Sequence, residues 1–271
     1  GCHVVFVEVD LDERVDVRLG CRGDGIRELV HAPRVHLHPE ARFILLRQFS
    51  YDWGNERDVR VAIERLDAPP LKPRWTIEET DRQLKALFGT YTGCLTQTAL
   101  GAVQRVIASG AVNQFKLHDF QDLGNSKDWP QAYFECVYDI APDEALILET
   151  ELPAERVYWN VQVIDGLWNQ VELVYRQSSL NGHQARIDAD GRFRAVLSLE
   201  DPGIANWLDP GGHTHGMMIG RWYRCSSHPT PTLTKVKFAD LRRHLPASTP
   251  TNSDAYRAAQ LRTRRLGAQL R

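Results

Sequence analysis

No stretch of the sequence comes near the roughly 20 consecutive apolar residues that a membrane-spanning helix needs. The apolar run Val4–Val9 is short and acids follow it at once, unlike a signal peptide. Cysteine is scarce: Cys2, Cys21, Cys94, Cys136 and Cys225 are an odd number, widely spread and without paired spacing. That pattern argues against a disulfide framework and fits free thiols in a reducing compartment, so we expect a cytoplasmic protein with no membrane partner. A glycine-rich phosphate loop, a Gly-x-Ser-x-Gly elbow and a regular alternation of strands with helices are all missing. Their absence argues against a nucleotide-binding doubly wound sheet and against a serine nucleophile on a strand–helix turn. An excess of one charge is lacking too. The 33 Lys and Arg against 35 Asp and Glu leave a formal net charge of -2, which gives no whole-molecule attraction for nucleic acid.

What is present is a globular composition: 42% hydrophobic residues and seven tryptophans in 271 residues, enough for one large domain or two modest ones. The first stretch alternates with a period of two (Val5, Val7, Val9; Val15, Val17, Leu19), as half-buried strands do. Two further strands, Arg42–Phe49 and Arg57–Leu66, flank a turn rich in Asp, Gly and Asn. Pro-rich Ala68–Pro73 breaks the sheet. Thr76-Ile77-Glu78-Glu79 is a capping-box start, followed by Leu84, Leu87, Phe88 and Tyr91 at helical spacing and by a second apolar segment, Leu95–Ile107. We expect a helical hairpin here. From Tyr133 strand signals persist: 133–139, 145–152, 157–165, 171–176, 183–187, 193–199, 217–225 and 233–237, with Asp188-Ala189-Asp190-Gly191 as a hairpin turn. A short helix over Lys237–Leu245 precedes a linker and a terminal helix, Asp254–Leu270.

The expected architecture is mostly β: a jelly-roll-like two-layer β sandwich with an inserted helical hairpin and a C-terminal helix. Four regions follow: residues 1–70 an N-terminal β unit, 71–130 the helical insert and its connecting loop, 131–246 the C-terminal sandwich, and 247–271 a linker and terminal helix. The chain opens Gly1-Cys2-His3 without an initiator Met, and we expect a segment upstream. One internal echo stands out. Arg47–Asn55 and Val161–Asn169 each run strand, Asp, Trp, Asn, as duplicated units would, although chance similarity of two such turns explains it equally well.

Several stretches together resemble the family known as domain of unknown function 1214. They are the strand Val157–Asp165, the Arg176–Asn181 loop, the Asp190-Gly191 turn, and the closing Asn206-Trp207-Leu208-Asp209-Pro210-Gly211-Gly212-His213 with Gly216 and Arg221-Trp222. The resemblance implies a jelly-roll-like sandwich, often associated with a second β unit, and no particular activity. His215 departs from the pattern, so a mechanism needing both His213 and His215 would not extend to the family.

The densest polar cluster lies between Asn206 and Trp222. In it, Asp209 can orient and charge His213 for acid–base work, while Arg221 can hold a carboxylate; these are the candidate catalytic residues. The opposing reading is a structural ion pair between Asp209 and Arg221. Trp168 and Trp207, in turn regions, are candidate ligand-binding aromatics for an apolar or sugar-like molecule. On an extended segment His213 and His215 would share one face, and with Cys225 and His228 they would offer the N/S donors that zinc takes, though no Glu of the cupin kind follows. The seven arginines of the last stretch (242, 243, 257, 262, 264, 265, 271) meet one acid, Asp254. Without interleaved aromatics they suit a clasp over the sandwich or a homo-oligomer contact through the C-terminal helix better than nucleic acid. Two functions compete: a small-molecule-processing or ligand-binding domain with a cleft around Asp209–Arg221, and a non-catalytic sandwich in which that motif is a turn.

Overall fold

A computed structural model of the chain describes residues 6–11, 16–21, 35–36, 41–47, 51–56, 61–65, 74–119 and 130–269. The chain divides into two compact units, Gly1–Gln83 with Leu270–Arg271, and Leu84–Gln269. In the first unit β1 (Phe6–Leu11) pairs antiparallel with β4 (Ala41–Arg47), while β2 (Asp16–Cys21) lies between β3 (Val35–His36) and β5 (Val61–Arg65). The two strong strands of the sequence, β4 and β5, thus join different sheets. Asp52 shapes the turn after β4: its carboxylate accepts the Gly54 and Asn55 amides at 3.0 and 3.2 Å and the Asn55 side-chain amide at 2.7 Å.

Thr76 caps α1 (Ile77–Ala86), its hydroxyl accepting the Glu79 amide at 3.2 Å. The expected hairpin does not form. Leu87–Tyr91 makes a π turn, and α2 (Thr92–Ala108) follows with both flanking residues, Ala86 and Thr92, in the right-handed helical region. Gly89 and Gly93 cost about 1 kcal/mol each relative to alanine in a helix interior. Neither leaves helical geometry, so nothing reverses the chain. Leu84, Leu87, Phe88 and Tyr91, the residues at helical spacing, are exposed. The helix ends where Gly110 takes φ +78, a left-handed conformation natural to glycine.

The second unit is a sandwich. Five strands form one antiparallel sheet: β6 (Lys116–Asp119), β7 (Gln131–Asp139), β9 (Arg156–Ile164), β10 (Ser179–Asn181) and β13 (His215–Cys225), in the order β10-β9-β13-β7-β6. The other sheet holds β8 (Glu144–Thr150), β11 (Phe193–Ser198), β12 (Trp207–Leu208) and β14 (Thr232–Lys237), in the order β12-β11-β8-β14. Alternation along each strand decides the faces. Phe134, Cys136, Tyr138, Trp159, Val161, Met218 and Trp222 meet Leu146, Leu148, Phe193 and Leu197 in one core. Trp159 crosses between the sheets, its ring centroid 4.8 Å from Phe193 and 6.0 Å from Trp222. A second cluster (Ile147, Val196, Val236) is closed from outside by Leu241 and Leu245, the former in the 3-10 helix Phe238–His244. Val103 and Val106 of α2 cover part of the opposite outer face.

Two expected strands are turns instead. Over 171–176 Glu172 has φ +34 and its carbonyl accepts the Tyr175 and Arg176 amides, which closes a turn. Over 183–187 the Asn181 side chain accepts the His183 and Gln184 amides at 3.0 Å and bends the chain. The Asp188–Gly191 turn leads into β11 as expected.

Gly220 is set by close approach. A Cβ there would stand 1.9 Å from Phe134 Cζ and 2.7 Å from the Asn160 carbonyl oxygen. Since a fully packed ring and a strand backbone cannot both yield, Gly220→Ala is expected to lower unfolding free energy by about 1–3 kcal/mol or more. Urea denaturation measures it.

Candidate functional site

The signature turn is built from inside. After β12 the Asp209 amide donates to the Gln177 carbonyl at 3.0 Å, which holds the buried Asp209 over the 172–177 turn. One carboxylate oxygen of Asp209 accepts the Gly211 amide at 2.8 Å; the other accepts Arg176 Nη1 at 3.0 Å. Gly211 has φ +64, and a Cβ there would lie 2.8 Å from Val171 Cγ1, so both conformation and space demand glycine. The structural ion pair foreseen for Asp209 therefore exists with Arg176, not with Arg221.

Arg221 stands apart. It lies six residues beyond His215 on β13, roughly 20 Å along the strand at about 3.3 Å per residue. Its guanidinium rests over the Tyr133 ring at 5.2 Å. Asp209, His213 and Arg221 thus do not converge on one reacting centre. The expected zinc set separates for the same reason: β13 puts His215 and Cys225 at opposite ends, roughly 33 Å apart. His228 goes with Cys225, whose thiol faces the Tyr158 and Tyr223 carbonyl oxygens. Among the described residues no group of three or more His, Cys, Asp or Glu side chains is arranged to hold a metal.

Trp168, His213 and His215 gather instead around the Asp165 turn. Asp165 accepts the Leu167 and Asn169 amides at 2.8 Å and the Asn169 side chain at 3.1 Å. Burial pushes its carboxyl up, but those hydrogen bonds and the charge of His213 outweigh burial and hold it below the usual range. Trp168, at φ +66, is 40% exposed there.

Trp207 and Asp209 line a cleft of about 480 Å³ with Glu172, Tyr175, Arg176 and Leu261. Arg257 of α3 (Asp254–Gln269) backs it, its guanidinium over the Trp207 ring at 5.2 Å. All five of its donors are engaged: Nε and Nη2 with Asp201 at 2.9 Å, Nη1 with Gln177 Oε1 and the Ala205 carbonyl at 3.0 and 3.2 Å, and Nη2 also with the Ile204 carbonyl at 2.7 Å. Arg257 is thus a buttress, and Arg176, half exposed, is the cation a ligand would meet. The indole N–H of Trp207 donates to the Ser198 carbonyl at 2.9 Å, which fixes the ring plane. Glu172, Tyr175, Arg176 and Arg257 were missed in the sequence. The first three sit where alternation suggested a strand, and the fourth is an arginine on a helix with an alanine-rich side.

The fold and cleft define a class: a mostly β sandwich with an aromatic and carboxylate-lined groove at the edge of one sheet. No family's sequence profile and no curated protein matches the chain. The fold is similar to that of an uncharacterised protein from Burkholderia cenocepacia, with a TM-score of 0.65 at 22% sequence identity over 87% of this chain and 72% of that one. At that identity the likeness speaks for the fold alone. The VPA0106 protein from Vibrio parahaemolyticus is less similar, with a TM-score of 0.29 at 16% identity over 45% of this chain and 30% of that one. Among the described residues no helix is long and apolar enough to cross a membrane.

Proposed function

We propose that the protein binds a small organic molecule in the cleft beside Trp207 and Asp209. The observation that carries this reading is the concave juxtaposition of two aromatic rings, Tyr175 and Trp207, with the planar polar groups of Glu172, Arg176 and Asp209. Rings stack on the flat face of a sugar or another ring, and fixed carboxylates and guanidinium groups take its hydroxyls. The acid–base reading is weaker: the oxygens of Asp209 accept Arg176 Nη1 and the Gly211 amide, and among the described residues no hydrogen bond joins Asp209 to His213. Membership of the domain of unknown function 1214 family belongs to the same proposal, since its signature stretch contributes Trp207 and Asp209 to the cleft wall.

Calorimetric titration with glucose and with benzoate separates the two ligand chemistries. Saturable binding of either that drops at least about tenfold in Tyr175→Ala and in Trp207→Ala supports the reading. Tyr175 is 64% exposed, so its loss leaves the fold intact. Binding unchanged in both variants, or no binding of any ring-bearing probe, overturns it.

A further inference from the structure

The outward face of the five-stranded sheet is polar where a covered sheet face is normally apolar. The β7/β13/β9 register sets Tyr133, Arg221 and Asn160 in one row, with His118 of β6 continuing it. The next row in one direction is Glu135, Ile219 and Gln162, and in the other it is Gln131, Tyr223 and Tyr158. Valines of α2 cover this face around Val137, Ile164, Met217 and Ile219 and reach Tyr133, and Gln131, Asn160 and Arg221 lie outside that apolar cluster.

Burial here is severe without being satisfied. Gln131 is 3% exposed and Asn160 7%. Among the described residues, both amide atoms of Gln131, Oδ1 of Asn160 and Nε of Arg221 are buried without a hydrogen-bond partner. Such groups cost stability and are uncommon singly, so four atoms on neighbouring positions of one face point to a purpose. Arg221 makes no ion pair among the described residues. Glu135, two residues along β7, lies 3.4 Å from His118 Nε2, and burial raises its carboxyl while His118 and Arg105 oppose that. The polar face reaches solvent at this pair, where the His118 side chain is 31% and that of Glu135 19% exposed.

We propose that this sheet face is a second binding site, for a small carboxylate that also carries a hydrogen-bond donor, as a hydroxy acid does. Arg221 Nε and Gln131 Nε2 donate to the carboxylate, and the guanidinium supplies the opposite charge. Asn160 Oδ1, on the residue directly opposite Arg221, accepts from the hydroxyl. Arg221 and Asn160 are directly opposite, and Gln131 is diagonal to Arg221 at on the order of 7 Å between Cβ atoms, a span that one small molecule bridges.

The test follows arginine side-chain N–H resonances of the full chain by NMR during titration with sodium lactate, against sodium chloride at equal ionic strength. Arg221→Lys assigns the Arg221 signal. A saturable shift of that signal with lactate alone, and an apparent Kd about tenfold weaker in Gln131→Leu, are expected. Gln131→Leu replaces an unpartnered amide by an apolar group of similar size, so it folds. No saturable shift, an equal response to chloride, or an unchanged Kd in Gln131→Leu overturns the site. The outcome is independent of what binds beside Trp207.

Discussion

Arg194→Met is expected to unfold at a free energy about 3–5 kcal/mol below the parent protein, because it strands the buried carboxylate of Asp188. Arg194 lies on β11, only 6% exposed, and its guanidinium is enclosed by three acids. Nη1 meets Asp188 at 2.8 Å, Nη2 meets Asp190 at 2.8 Å, and Nε meets Glu149 of β8 at 2.5 Å. Asp188, itself 4% exposed, also accepts the Thr249 hydroxyl at 2.7 Å, so the cage ties the hairpin turn to the segment before α3. Urea denaturation gives the magnitude, and an unchanged midpoint would sink the idea. Acid reveals the same cage. Hydrogen bonds from Arg194, then from the Arg192 amide, hold Asp190 down to about 2 from an ordinary 3.8. The unfolded chain therefore binds the proton more readily. The contribution is whole above about pH 4 and fades as pH falls through about 2. In Arg194→Met that part of the acid limb should flatten.

The second large effect falls on Arg257. Replacing it with leucine leaves Asp201, the Gln177 side chain and the Ile204 and Ala205 carbonyls without the donors they now share. A loss of about 3–5 kcal/mol is expected, because buried acceptors such as Gln177 Oε1 and the Ile204 carbonyl are left unsatisfied at about 1–3 kcal/mol each, Asp201 itself being partly exposed. The fingerprint is local. Amides of α3 should exchange with solvent far faster, and the cleft should lose its Trp207 wall because the ring loses its stacked guanidinium. Arg257→Lys should rescue little, since an ammonium cannot reach a bidentate carboxylate and three further acceptors at once. Protection of α3 unchanged in Arg257→Leu would refute this.

The contrast between what the sequence announces and what it conceals runs along hydrophobic period. β7, β9 and β13 read as strands because their alternating residues fill a core between two sheets, and Asp188–Gly191 reads as a turn from its residue types. α3 inverts that logic. Its buried positions include Arg257 and Arg264, and burial holds the pKa of Arg264 down to about 10. Arg264 reaches the Leu173 carbonyl at 3.0 Å and the Ser179 hydroxyl at 3.1 Å, partners far away in the chain. Two arginines of the basic stretch, Arg257 and Arg264, thus anchor α3 to its own sandwich. Pattern alone cannot show this, because an arginine stem packs like an apolar side chain while its head needs acceptors supplied by folding. The site was half legible. Trp207 and Asp209 were found from turn chemistry. Their companions in the cleft, Glu172, Tyr175 and Arg176, were hidden because alternation over 171–176 imitates a strand, and β13 carries Arg221 and Cys225 away from His213.

The turns at Asp52 and Asp165 have a consequence for how such a chain can diversify. In each, one carboxylate binds two main-chain amides and the side chain of an asparagine no more than four residues away. In both loops the template is a carboxylate of the loop itself. The tryptophan between Asp and Asn is therefore presented by a locally templated loop, a unit that can change its other residues, or recur elsewhere in a chain, as long as the Asp and Asn are kept.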